Sequence, residues 1–275
     1  MESKIYHIDS DSLSRHEQFK SFAQQAGELF DVKKAAEILK LLPADATKVL
    51  SRWQKLGFIF RIKQGLYTLI PIDSPTAQFT PEDFWIAIPT LFDPGYIGGF
   101  SALEHWDLTE QIFNSICVFT TKHVKNKTPN IAGQSFLINH IQSHQLFGLT
   151  PIWRKQTKVM MSDMHRTIID IFDRPENGGG IQHAIDCLKE YLRKPEANPE
   201  KLAEYAIQMN KGAVFKRLGY FLSLFIGQQH PLVNNFKEHL TQGYAYLDPK
   251  QKTEVKLSRR WQLWIPKTLD IGAEA

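Results

Sequence analysis

Residues 33–69 restrict the possible folds of this chain more than any other segment, because the spacing of their apolar residues changes from helical to strand-like. Asp31 is a favourable N-cap for a first helix, which the spacing predicts over residues 32–41. Pro43 suits the first turn of a second helix, predicted over residues 44–56, since its missing N–H has no partner there. The pattern therefore predicts two helices joined by a short turn.

A β-hairpin is predicted directly after the second helix. Gly57 suits the position that ends a helix in left-handed backbone. Residues 58–62 and 66–69 are rich in β-branched and aromatic types, and they flank the tight turn Lys63-Gln64-Gly65. Together with a further amphipathic helix over residues 19–30, this order predicts a winged helix-turn-helix.

The chain is long enough to form two cores, with 275 residues of which 43% are hydrophobic. In the second part most predicted strands precede most predicted helices, which favours an α+β class. We therefore predict an N-terminal winged helix-turn-helix domain followed by a larger mixed α+β domain. The predicted boundaries are a loose lead-in over 1–18, the winged helix over 19–72, a Pro- and Ser-containing linker over 73–80, and the α+β domain over 81–275.

Composition points to a soluble protein of a reducing compartment. Cys117 and Cys187 form neither a disulfide framework nor a zinc-binding spacing. The N-terminus lacks the apolar core of a signal peptide, and the longest apolar stretch, residues 220–227, is too short to cross a bilayer. We expect a cytoplasmic protein without a membrane partner. The net charge of +4 is weakly basic, as in many DNA-binding proteins and many ordinary enzymes.

The second predicted helix carries a polar, basic face, and the hairpin after it is basic as well. The candidate DNA-binding residues are Thr47, Lys48, Ser51, Arg52 and Lys55 on the helix, with Arg61, Lys63 and Gln64 on the hairpin. The helix would enter the major groove, where Arg and Lys reach guanine edges or phosphates, and the hairpin would meet the backbone or the minor groove. The alternative is a solvated basic face on a module that docks protein. We favour double-stranded DNA as the partner.

Other motifs favour structural roles. The glycines of residues 178–180 suit a reversal between helices better than a phosphate loop, because no strand leads into them and no Lys-Ser or Lys-Thr follows. Ser101 and Glu104 are interpreted as a helix capping box, not as parts of a nucleophilic site. The histidines lack metal-ligand spacing. We therefore predict no catalytic residues, no metal and no cofactor.

Basic groups recur outside the first predicted domain. One follows a predicted strand, a second begins an apolar helix, and a third precedes the last strand. Their members are Lys122, Lys125 and Lys127; Lys211, Lys216 and Arg217; and Lys256, Arg259 and Arg260. Each is expected to be solvated surface, and any that lie beside the winged helix would extend a DNA track or meet an acidic partner.

Four segments in order resemble the AbiEi-like antitoxins of type IV toxin–antitoxin systems, which act in abortive infection and phage defence. The segments are RIKQGLYTL, GGFSALEHWDLTEQIFNSICVFTTK, SDMHRTIIDIFDRPENGGG and KRLGYFLSLF. The resemblance implies a transcriptional autorepressor whose winged helix binds inverted repeats upstream of its own operon. It also implies a C-terminal domain that counteracts a nucleotidyltransferase-like toxin, with or without direct binding.

Carried onto this chain, the resemblance places the family's basic DNA-reading positions at Lys48, Arg52, Lys55, Arg61 and Lys63. The antitoxin region falls on residues 80–271. Inverted repeats require two copies of the chain on DNA, and since no heptad seam announces a dimer, we expect monomers to load cooperatively. Asp45, near the start of the recognition helix, would repel phosphate unless it accepts from a cytosine amine.

Two other functions remain open from the sequence. A ligand-sensing winged-helix transcription factor would use a pocket lined by aromatics of the second domain. Those aromatics are Phe92, Tyr96, Phe100, Trp106, Phe119 and Phe136. Periodicity favours core positions for most of them. A nuclease or nucleotidyltransferase would need clustered metal-binding acids, and Asp163, Asp170 and Asp173 are a poor set for that purpose.

Overall fold

The computed structural model describes residues 10–70, 84–154, 156–269 and 271. The helices are α1 (Ser10–Ala26), α2 (Val32–Leu39), α3 (Pro43–Lys55), α4 (Ile88–Phe92), α5 (Gly99–His105), α6 (Met164–Asp173), α7 (Ile181–Arg193), α8 (Pro199–Met209), α9 (Gly212–Phe225) and α10 (Pro231–Glu238). The strands are β1 (Leu29–Asp31), β2 (Ile59–Lys63), β3 (Leu66–Leu69), β4 (Gly95–Ile97), β5 (Ser115–Thr120), β6 (Asn130–Ile131), β7 (Gln134–His140), β8 (Leu149–Arg154), β9 (Thr157–Ser162), β10 (Ala245–Tyr246), β11 (Val255–Ser258) and β12 (Leu263–Pro266). This mixture confirms the predicted α+β class.

Residues 10–70, here called the N-terminal module, pack three helices against a small antiparallel sheet in the order β1-β3-β2. The Asp31 side chain caps α2 by accepting a hydrogen bond from the Lys34 N–H at 2.7 Å. Trp53 of α3 and Phe22 of α1 meet in the core with ring centroids 4.8 Å apart. Aromatic burial of this kind holds the helices of a small module together.

The first helix differs from the prediction at both ends. It begins at Ser10 instead of residue 19, so residues 10–18 are helical and not a loose lead-in, while residues 1–9 lie outside the described part. It ends before Gly27, whose φ of +71° leaves the helical region. Residues 29–31 then form β1, because they pair antiparallel with β3. The predicted linker over 73–80 lies outside the described residues.

A mixed sheet of six strands, in the order β6-β7-β5-β4-β9-β8, forms the centre of the second module, residues 84–271. Alternate residues of its strands serve two different cores, since Ile97 and Val118 face one and Tyr96 and Cys117 face the other. The first face packs against α4 and also receives Leu29 of the N-terminal module. The two modules therefore share buried apolar surface.

Helices α5 to α10 surround the remaining core of the second module. A second small sheet, in the order β10-β12-β11, closes this part of the chain. Trp261, 2% exposed, packs against the helix-α9 backbone at Gly219. Within the described residues, the helices are all too short or too polar to cross a membrane.

Candidate nucleic-acid interface

Helix α3 presents its polar residues to solvent because its apolar residues recur on the opposite side. Ala46, Leu50 and Trp53 are buried in the core of the N-terminal module. The side chains at the other positions of the helical repeat face outward. All five predicted α3 residues are exposed: Thr47, Lys48, Ser51, Arg52 and Lys55.

The first turns of α3 contain two local polar contacts. The Thr47 hydroxyl donates to the Pro43 carbonyl at 2.8 Å. Lys48 Nζ lies 2.9 Å from Asp45 Oδ1, in a pair whose side chains are 77% and 49% exposed. Asp45 is therefore paired with Lys48 at the start of this helix in the free protein. A pair this exposed contributes little to stability and remains available to a partner.

The β2–β3 hairpin exposes the other three candidates, Arg61, Lys63 and Gln64. The strand pairing shifts register between Arg61 and Lys63, and Gly65 has a φ of +81° at the turn. Ile62, between the two basic residues, packs against the core face of the second module. The hairpin is thereby held against that module while its basic side chains remain at the surface.

A loop of the second module lies beside the hairpin. Val124 packs against the same core face as Ile62, and Lys122, Lys125 and Lys127 around it are exposed. Partial burial of the Lys63 ammonium, and then the nearby positive charge of Lys122, lower the pKa of Lys63. The structure thus brings one of the three basic groups outside the N-terminal module next to the predicted DNA-binding residues.

A second basic group has a structural role, contrary to the solvated surface that we expected. Arg217 is 5% exposed and donates to the backbone carbonyls of Phe172, Asp173 and Tyr246 at 2.8 to 3.0 Å. These include the last carbonyls of α6, which have no partner within their own helix. Lys216 is 3% exposed and donates to the Gly243 carbonyl at 2.6 Å. The sequence around Lys216 and Arg217 does not predict their burial, because their burial depends on where α6 and β10 lie in the fold.

The sequence also missed a buried polar network behind the second sheet face. Arg166 and Asp170 are both fully buried, with Nε and Oδ1 2.9 Å apart. Arg166 Nη2 also donates to the Tyr96 hydroxyl at 2.9 Å. Burial opposes the charge of Arg166, but Asp170 and Tyr96 more than offset it and raise its pKa. The i,i+4 spacing predicts the pair, whereas its burial and the third partner on β4 depend on tertiary packing.

The predicted capping box at Ser101 and Glu104 is wrong. Helix α5 begins at Gly99 with Gly98 as its N-cap, so Ser101 lies inside the helix. The Ser101 hydroxyl instead accepts from the Cys117 N–H at 3.0 Å, and Glu104 Oε1 accepts from the Phe113 N–H at 2.8 Å. Both side chains tie α5 to the segment around β5. As predicted, the glycines of residues 178–180 lie in the connection between α6 and α7, where Gly178 ends a short 3-10 turn, Pro175–Gly178.

Five of the six aromatics considered for a ligand pocket are core residues. Phe92, Tyr96, Phe100, Phe119 and Phe136 are each 5% exposed or less. Trp106 instead lines a cleft of about 370 Å³, whose other walls are mainly charged groups and histidines from α5, α6 and the α7–α8 connection. Across the described ranges, no three His, Cys, Asp or Glu side chains come together as a metal site.

No family model matches this chain, and no curated protein matches it. Among solved structures, the chain is similar to the crystal structure of the Rv2827c protein from Mycobacterium tuberculosis, with a TM-score of 0.59. The two sequences are 13% identical, and the match covers 92% of this chain and 91% of that one. At this identity the similarity shows a shared fold across nearly the whole of both chains.

Proposed function

We propose that this chain is a DNA-binding transcriptional autorepressor that also acts as an antitoxin. In this proposal the N-terminal module is a winged helix, α3 is its recognition helix and the β2–β3 hairpin is its wing. The order of helices, the sheet order β1-β3-β2 and the short turn before α3 support that assignment. The partner is a double-stranded operator with inverted repeats.

One observation carries the proposal. Every group predicted to touch DNA is exposed, and the α3 groups share the solvent face of one helix. Arg52 and Lys48 would supply guanine or phosphate contacts, and Thr47 and Ser51 would supply the smaller polar ones. Because the described part of the second module packs against the hairpin without covering these side chains, the face remains accessible among the described residues.

The loop beside the hairpin would lengthen the contact with the DNA backbone. Lys63 and Lys122 keep like charges close together, an arrangement that a polyanion would stabilise. Phosphate contacts release counterions, so affinity should fall steeply as salt is raised. Inverted repeats would bind two copies of the chain, loaded cooperatively as monomers.

The antitoxin role rests on the resemblance of the four sequence segments to AbiEi-like proteins. In the proposal the second module counteracts a nucleotidyltransferase-like toxin, and a stable complex with the toxin is not required. A ligand-sensing function gains little from the structure, because five of the six aromatics that would line its pocket are core residues.

The test is a gel-shift titration on the DNA immediately upstream of the gene, with scrambled competitor and a salt series. We expect a competitor-resistant shift that Arg52→Ala with Lys48→Ala abolishes. The matched control, Arg193→Ala with Lys250→Ala, removes the same charge from exposed positions of the second module and should bind normally. A shift no stronger than on scrambled DNA would contradict the proposed repressor.

The same variants separate the two roles. Since Lys48 and Arg52 are exposed, their replacement leaves no buried gap and should leave the fold intact. Cells that express the double variant should therefore still survive expression of the toxin gene. Loss of rescue at equal protein level would show that DNA binding and antitoxicity are not separable as proposed.

A further inference from the structure

The turn before α3 and the first two residues of the helix expose four consecutive apolar residues. Leu41, Leu42, Pro43 and Ala44 are all exposed, and Leu42 is 72% exposed. A run of exposed apolar residues of this length is unfavourable on a solvated surface unless it serves a contact. The run lies at the tip of the helix that we assign to DNA recognition.

Leu42 also occupies a position where another residue would stabilise the fold. It is the N-cap of α3, with φ −68° and ψ 149°, and its side chain makes no capping hydrogen bond. Asp31 and Asp163 fill the same position on α2 and α6, and each accepts a backbone N–H there. A leucine side chain cannot accept hydrogen bonds from the free N–H groups at the start of a helix. The protein is therefore less stable with Leu42 than it would be with a capping residue at this position.

The surroundings of the tip indicate what would cover it. The helical turns that follow carry three exposed cations, Lys48, Arg52 and Lys55, against one acid, Asp45, so their net charge is positive. A matching partner therefore has apolar groups recessed between negative charges. The major groove of DNA has this arrangement, because the 5-methyl group of thymine lies at its floor between two rows of phosphates.

We propose that Leu41 and Leu42 contact thymine 5-methyl groups in the major groove and make the chain select thymine under the tip of α3. The inference rests on the proposed DNA binding and adds a specificity determinant to it. Apolar side chains discriminate bases in the major groove through this methyl group.

The experiment first selects binding sites for the full chain from random duplex DNA. Each thymine of the selected site is then replaced by deoxyuridine, which lacks only the 5-methyl group. At a thymine under the tip we expect affinity to fall by about fourfold, the effect of one methyl group losing its apolar contact. Replacement at thymines elsewhere in the site should leave affinity unchanged.

Leu42→Ser is the informative variant. It should discriminate the thymine duplex from the deoxyuridine duplex less than the wild type does, because only Leu41 remains at the tip. It should also melt at a higher temperature than the wild type, because serine is a good N-cap. A higher melting temperature removes misfolding as an explanation. Leu56→Ser is the matched control, since Leu56 is 55% exposed at the other end of α3 and should leave the discrimination intact.

Two results would overturn the inference. If the chain selects a site but no thymine methyl group affects its affinity, the tip does not read thymine and the proposed repressor stands. If no site is selected, both proposals fail. Sedimentation with phosphatidylglycerol vesicles would then test a membrane contact, for which binding lost in Leu42→Ser and kept in Leu56→Ser is the signature.

Discussion

Arg166 places a positive charge in the interior of the second module, where the exposed fraction of its side chain is zero. Its guanidinium is held by Asp170 on the same helix and by the Tyr96 hydroxyl on β4, and it also lies 4.1 Å from the centroid of the Phe147 ring. A buried ion pair of this kind is costly to break, because the remaining charge has no water to solvate it. The network therefore fixes α6 against the sheet.

Asp170→Asn should destabilise the protein by about 3–5 kcal/mol, because it leaves Arg166 charged and buried without its carboxylate. The free energy of unfolding in urea, compared with that of the wild type, checks this. The paired replacement Arg166→Met with Asp170→Leu should recover most of the loss, since apolar pairs of similar volume often replace buried ion pairs. If Asp170→Asn alone were as stable as the wild type, the Arg166–Asp170 pair would not be buried in solution.

His165 makes the stability of the second module depend on pH. It is 9% exposed, its Nδ1 lies 2.8 Å from the Tyr191 hydroxyl, and burial lowers its pKa below the ordinary value of 6.5. As the pH falls below about 6.5, His165 becomes protonated in the unfolded chain while it stays neutral in the folded protein. Stability from this group is therefore complete above pH 6.5 and is lost as the pH falls through that value.

We expect the urea midpoint to fall more between pH 7.5 and about 5.5 in the wild type than in His165→Gln. The exposed His144 provides the comparison, because His144→Gln should keep the wild-type dependence. An identical pH dependence in wild type and His165→Gln would contradict the role given to this histidine.

At the scale of elements, α9 depends on the absence of a side chain at one position. Gly219 lies in the middle of the helix, and a Cβ added there would overlap the ring of Trp261. Alanine ordinarily favours a helix over glycine by about 1 kcal/mol. The contact with Trp261 reverses that preference.

Gly219→Ala should therefore destabilise the protein by about 1–3 kcal/mol, the cost of an overpacked contact. In the background of Trp261→Leu, the same change should cost less or become favourable, because the ring that it meets is gone. A double-mutant cycle from urea unfolding measures this coupling. Equal effects of Gly219→Ala in the two backgrounds would exclude the proposed contact.

Elements with a strong local signal were predicted, and elements chosen by distant partners were not. Helices α2 and α3 follow from helical spacing behind Asp31 and Pro43, which cap the one and begin the other in the structure. Strand β4 has three residues between a proline and two glycines, and it is a strand because β5 and β9 lie on either side of it. Such pairing leaves no periodic pattern to detect.

The same distinction applies to the candidate site. The exposed face of α3 follows from helical phase alone, so the spacing of Thr47, Ser51 and Lys55 was sufficient to predict it. The approach of Lys122 to Lys63 depends on how the two modules pack, and no short segment contains that information. The exposure of Leu42 could not be predicted, because its neighbours in the sequence include other leucines of the kind that usually form a core.

For the whole molecule, the important feature is the apolar contact that joins the two modules. Leu29 of β1 is 7% exposed and belongs to the same buried cluster as Ile97 and Val118 of the central sheet. Ile62 of the hairpin packs on that cluster as well. Shared burial makes the modules depend on each other for stability.

Leu29→Ala should lower the free energy of unfolding by about 2–3 kcal/mol and separate the unfolding of the two modules into distinct transitions. Calorimetry checks both effects. Ile59→Ala is the control, because Ile59 is buried only in the core of the N-terminal module and should weaken that module without removing the shared contact. One sharp transition in Leu29→Ala would show that the contact does not couple the modules.

The parallel pairing of β4 with β9 also sets an order for folding during synthesis. All strands of the N-terminal module lie within residues 29–69, so this module can be complete while the ribosome is still translating the central sheet. Strand β4 cannot pair with β9 until residues 157–162 have been synthesised. The Tyr96 hydroxyl on β4 likewise cannot contact Arg166 and Asp170 until α6 has been synthesised. During that interval β4 exposes an unpaired edge and an unmet hydroxyl, so the nascent chain would be most vulnerable to aggregation between translation of β4 and translation of α6.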